Sequence, residues 1–126
     1  MKRIFFKYTA FIEALTGLGL IFIPLRVTLL LFGAELTNNT AIILAMIGGS
    51  AIFSVALLSW LSKSDAIVGV SLPILLFYNI AVSIILLYAS LVLDFKGIPL
   101  YVVITFHLFQ SVVCSVLLKK QKQATK

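Results

Sequence analysis

Four apolar runs, at about residues 4–23, 41–61, 66–93 and 100–118, take up most of this chain and are separated by short polar punctuation. Each is at or near the length, about 20 residues, that an α-helix needs to cross the hydrocarbon core of a bilayer. In lipid a backbone must satisfy its own hydrogen bonds, so runs of this kind fold as helices. With 62% hydrophobic and 11% charged residues, the chain cannot dress a water-facing surface, for which soluble domains use about 25% charge. The expected fold class is all-α: an integral membrane four-helix bundle, one transmembrane domain over 126 residues, with a short interfacial helix after the first span.

The first run begins behind Lys2 and Arg3 like a secretory leader. Glu13 interrupts the apolar stretch, however, so an uncleaved first helix is expected. On it Ala10, Glu13, Ala14 and Gly17 share a face, with the small residues suited to close helix packing. Pro24 then breaks the run. The segment 24–33 is too short to span and is bracketed by Pro24 and Gly33, which suggests an interfacial helix over a kinked extension of the first. Asn39 or Thr40 is expected to cap the second span, where Ala41, Ala45 and Gly49 recur at every fourth position as a packing seam. The third run is longer than a bilayer requires, implying tilt or a kink near Pro73. Residues 94–97 then form a tight turn before the last span.

A net charge of +6 could suggest nucleic acid, but the basic residues flank apolar runs and the C-terminal lysines lack interleaved aromatics, so no nucleic-acid partner is expected. Their distribution orients the chain instead. Lys2, Arg3, Lys7, Lys63, Lys119, Lys120, Lys122 and Lys126 fall on one side and only Arg26 and Lys96 on the other, which puts both termini in the cytoplasm of a multi-pass protein. A single cysteine and a single histidine leave no zinc-ligand spacing and no bis-histidine haem pair, so no metal or cofactor is expected.

The polar residues inside the spans are the candidates for chemistry. Glu13 is foremost, because an ionisable group at depth is costly and marks a functional site by default. On the fourth span His107, Gln110, Ser111 and Cys114 make a stripe at helical spacing. Counting about 1.5 Å per residue from the cytoplasmic ends puts Glu13 and Gln110 at roughly 12–14 Å and His107 at roughly 16 Å. Ser50 and Ser54 bracket that level and Asn79 lies about a turn higher, so Glu13, His107, Gln110, Asn79, Ser50 and Ser54 can form one interior polar layer, with Glu13 and His107 as its titrating pair. The plainer alternative is that these groups only bond neighbouring helices, at about 0.6–2 kcal/mol each. Cys114 reads as a small packing residue.

Glu13-Ala14-x-Thr16-Gly17-Leu18-x-Leu20, Pro24, and Leu30-Leu31-x-Gly33-Ala34-Glu35-Leu36 together resemble a family of small, uncharacterised four-span bacterial inner-membrane proteins. The likeness continues through Gly48–Trp60, Tyr78-Asn79 with Tyr88, and Gly97–His107. It implies the four-helix inner-membrane architecture and carries no activity, substrate or cofactor.

Three function classes follow. The first is a protein that binds a small molecule, lipid or proton at the polar layer, or acts in transport as a homo-oligomer. The second is an accessory subunit or assembly factor docked on a larger membrane partner. An intramembrane enzyme comes third, since no nucleophile–base pair, metal cluster or phosphate-binding motif is present in the sequence.

Overall fold

A computed structural model describes residues 2–62 and 64–124; Met1, Lys63, Thr125 and Lys126 lie outside them, so the Lys63 and Lys126 contributions to the charge asymmetry have no structural counterpart. Every regular element among the described residues is helical: α1 (Lys2–Phe22), α2 (Pro24–Phe32), α3 (Asn39–Leu61), α4 (Asp65–Leu91) and α5 (Ile98–Ala124). The chain is all-α, and α1, α3, α4 and α5 are long and apolar enough to cross a membrane, as expected of a multi-pass membrane protein. The short helix after the first span is present as α2. Contacts gather into two compact units, residues 1–61 and 62–126.

In the first unit, the break between α1 and α2 follows from proline chemistry. Pro24 disfavours helical geometry at the residue before it, and Ile23 accordingly sits at φ −136°, ψ 51°. Pro24 occupies the first helical positions of α2, where its missing N–H costs nothing. Gly33 ends α2 in the left-handed region (φ 69°) and donates its N–H to the Leu29 carbonyl at 2.8 Å. The chain then turns into α3, whose start is capped by Asn38: its Oδ1 accepts the Ala41 N–H at 2.8 Å. The cap thus falls one residue before Asn39 and two before Thr40, the expected positions, at the residue whose side chain reaches the third amide of the turn.

α1 and α3 form a hairpin whose closest approach is glycine on glycine. A Cβ added at Gly17 would lie 2.8 Å from the Gly49 carbonyl oxygen and 2.7 Å from the Phe53 nitrogen. One added at Gly49 would lie 2.7 Å from the Gly17 oxygen. Only the absence of both side chains lets the backbones meet. The buried face of α1 carries Phe6, Thr9, Ala10, Glu13 and Gly17, at the three-and-four spacing of one helical stripe. On α3, Ala45 is half-buried.

The second unit is the α4–α5 hairpin. Pro73 lies inside α4, which is helical on both sides of it. The helix is capped at its start by Ser64, and Val92 follows its end. Asp94 takes a left-handed backbone (φ 58°), which aspartate tolerates better than most residues, and its carboxylate pairs with Lys96 Nζ at 2.9 Å on the surface of the turn. That hydrogen bond, with the charge of Asp94 behind it, raises the Lys96 ammonium above its ordinary value. α5 runs six residues past the expected end at 118, because Lys and Gln are good helix formers once the apolar run is over. The two helices lie antiparallel: Ser90 meets Tyr101 (3.2 Å) near the turn, Asn79 meets His107 midway, and Gly69 faces Gln121 at the far end.

Candidate functional site

The best-defined polar constellation lies midway along the second hairpin. Asn79 is 1% exposed and His107 5% exposed. Asn79 Nδ2 donates to the Leu75 carbonyl at 2.7 Å, one turn back on α4. That contact fixes the amide orientation, so the group facing α5 is the carbonyl Oδ1, 2.7 Å from His107 Nδ1. Two acceptors cannot bond, so His107 carries a proton on Nδ1 and donates it, and in the neutral ring Nε2 is the acceptor. Tyr78 and Phe106 pack their rings edge-on to the imidazole, at centroid distances of 5.7 and 5.6 Å. The tautomer and the ring plane are therefore both held.

The backbone around the pair is braced by hydroxyls. Ser83 donates to the Asn79 carbonyl (2.8 Å) and Ser111 to the His107 carbonyl (2.9 Å). Gln110 and Cys114 are buried on the same stripe of α5 as His107, while Ser111 is half-buried. At the Ser62 end of α4, Ser62 donates to Ser71 Oγ at 2.7 Å, and Ser71 in turn donates to the Ile67 carbonyl at 2.9 Å.

In the first hairpin Glu13 is 3% exposed on the inner stripe of α1, with Thr9 one turn before it and Gly17 one turn after. Thr9, absent from the sequence-based candidates, is equally buried and donates to the Phe5 carbonyl at 3.1 Å. Its place four residues before Glu13 was the available signal.

Ser50 and Ser54, on α3, are both exposed and away from the α1 contact. Each hydroxyl donates back along its own helix, Ser50 to Met46 (3.1 Å) and Ser54 to the Ser50 carbonyl (3.0 Å), so neither needs an interior partner. Of the six polar candidates, the structure joins Asn79 directly to His107, places Gln110 on the His107 face, buries Glu13 in the other hairpin, and leaves Ser50 and Ser54 exposed on α3.

Chemically, the Asn79–His107 pair offers an oriented imidazole in apolar and aromatic surroundings, able to accept a hydrogen bond or a proton at Nε2. No group of three His, Cys, Asp or Glu side chains among the described residues could hold a metal ion. Compared with protein-family models, curated proteins and solved structures, the chain gives no match.

Proposed function

We propose that this multi-pass membrane protein resides in a bacterial inner membrane with both termini cytoplasmic, and that polar side chains within its spans hold a proton or a small hydrogen-bonding ligand, the protein working as a homo-oligomer. The observation that carries the reading is the Asn79–His107 bond: a histidine fixed in one tautomer deep in a span, where polar groups are costly to keep. Glu13, buried on α1, is the second group that supports it. The Lys/Arg asymmetry supports the orientation.

The single histidine makes the test direct. Protein labelled with ¹⁵N-histidine and reconstituted in nanodiscs should show the Nδ1–H tautomer, and its Nε2 resonance should respond to bulk pH. Dicyclohexylcarbodiimide, which modifies protonated carboxyls from the lipid phase, should label the wild type and spare Glu13→Gln. Insensitivity of the histidine signal to pH, together with an unreactive Glu13, would leave both residues as packing groups and sink the proposal. The second reading, an accessory subunit, draws on the outer face of α3. There Gly48 opens onto empty space beside exposed Ser50, Ala51 and Ser54, a surface on which a partner helix can approach closely. Stoichiometric co-purification of a larger membrane protein from the native host would favour it.

A further inference from the structure

A cleft of about 610 Å³ opens in the first hairpin, lined by Leu25, Arg26, Leu29, Leu30, Glu35 and Leu36. Its size falls in the range of small-molecule sites, about 300–1,000 Å³. One wall is a face of α2, where Leu25 and Leu29 form one row and Arg26 and Leu30 the next, each pair four residues apart. The other wall is the segment that follows the Gly33 cap, carrying Glu35 and Leu36. Four of the six lining residues are leucines, and Leu30 is 68% exposed. Arg26 and Glu35 are both exposed at the cleft, and no ion pair joins them to each other.

We infer that this cleft seats one phospholipid whose headgroup carries a phosphate and a primary ammonium, of the phosphatidylethanolamine type. The inference rests on α2 lying at the membrane interface and is independent of the Asn79–His107 pair. The cleft falls between the end of α1 at Phe22 and the start of α3 at Asn39, where a span meets the headgroup layer. An acyl chain fills the leucine wall. The Arg26 guanidinium presents a planar fork that matches a phosphate, and the Glu35 carboxylate is an acceptor for the ammonium N–H groups. This arrangement discriminates among lipids. An anionic phosphatidylglycerol brings no cation to Glu35 and meets its charge as repulsion. Phosphatidylcholine brings a cation with no N–H to donate. Only the primary-ammonium headgroup answers both charged residues.

Native mass spectrometry of the delipidated protein with equimolar phosphatidylethanolamine, phosphatidylglycerol and phosphatidylcholine of matched acyl chains tests this. The wild type should retain phosphatidylethanolamine over either competitor by on the order of tenfold, the scale of one charge-assisted hydrogen bond. Glu35→Gln should abolish that preference, and Glu35→Lys should turn it toward phosphatidylglycerol. Arg26→Gln should weaken all three adducts, with Arg26→Lys restoring part of the loss. Both residues are exposed, so circular dichroism should show unchanged helix content in every variant. Equal retention of the three lipids by the wild type, or an unchanged preference in Glu35→Gln, would overturn the assignment. Displacement of the lipid by millimolar inorganic phosphate alone would show an anion site in its place.

Discussion

Two adjacent glycines on α3 should respond to the same substitution with opposite signs. At Gly49 a new methyl would sit 2.7 Å from the Gly17 oxygen and 2.7 Å from Leu20 Cβ, where ordinary contact begins at 3.4 Å. The α1 and α3 backbones would have to part by about 0.7 Å. A radial gap of about 0.5–1 Å forfeits a quarter to a half of each dispersion contact along the crossing. Overpacking of this kind costs about 1–3 kcal/mol. Replacing a helical glycine by alanine returns up to about 1 kcal/mol of intrinsic propensity. Gly49→Ala and Gly17→Ala should therefore each destabilise the first hairpin by about 1–2 kcal/mol. The double variant should lose less than the sum, because one separation relieves both clashes. At Gly48 the new methyl meets nothing within 4 Å, so only the propensity gain of up to about 1 kcal/mol remains and the variant should be neutral or more stable. Reversible unfolding in mixed micelles, followed by circular dichroism, reads all four variants on one scale. If Gly48→Ala proves as damaging as Gly49→Ala, or the Gly17 and Gly49 losses simply add, the glycine contact does not hold this hairpin.

Three further outcomes are expected. Asn79→Leu strands the buried His107 N–H and should cost about 1–3 kcal/mol, whereas Asn79→Leu combined with His107→Phe should recover much of the loss; a coupling energy under about 0.5 kcal/mol in a double-mutant cycle would contradict the bond. Ser50→Ala and Ser54→Ala should stay within about 0.5 kcal/mol of the wild type, because each hydroxyl is satisfied on its own helix, and a larger drop in the same unfolding assay would show that they bond a neighbouring helix. Reporter fusions after Lys63 and Lys122 should give cytoplasmic signal and a fusion after Lys96 periplasmic signal, and a periplasmic reading at either of the first two would invert the orientation.

The helices were legible because bilayer thickness leaves an apolar chain few choices, and the α1–α2 break because Pro24 admits little else at Ile23. Glu13 was visible for the same reason a charge in lipid always is: nothing local can hide it. Serine is different. Ser50, Ser54, Ser59, Ser71, Ser83, Ser111 and Ser115 all donate to the carbonyl four residues earlier, so a serine in a span reads as polar while asking nothing of its neighbours. Burial decides which of them matter, and periodicity does not report burial when lipid and protein interior are equally apolar. Asn79 and His107 each stood out, but their pairing depends on the rotation and register of two helices, which tightly packed side chains set together. The cleft beside α2 was hidden for a related reason. Its second wall follows Gly33, and the path the chain takes there is set by backbone dihedrals that the apolar pattern does not report.

The two hairpins also differ in how a lesion in each could be repaired by second-site mutation. Any side chain introduced at Gly49 has no cure at Gly17, which is already as small as a residue can be, and of the other near atoms the Ile21 nitrogen is backbone and the Leu20 Cβ is one that only glycine lacks. Loss of Asn79 is a chemical lesion, and His107 can be exchanged for an apolar residue that no longer asks for an acceptor. A genetic screen should therefore recover intragenic suppressors of Asn79→Leu at position 107 readily, while suppressors of Gly49→Ala should be scarce. The first hairpin is the brittle half of the chain, and the second is the half that evolution can renegotiate.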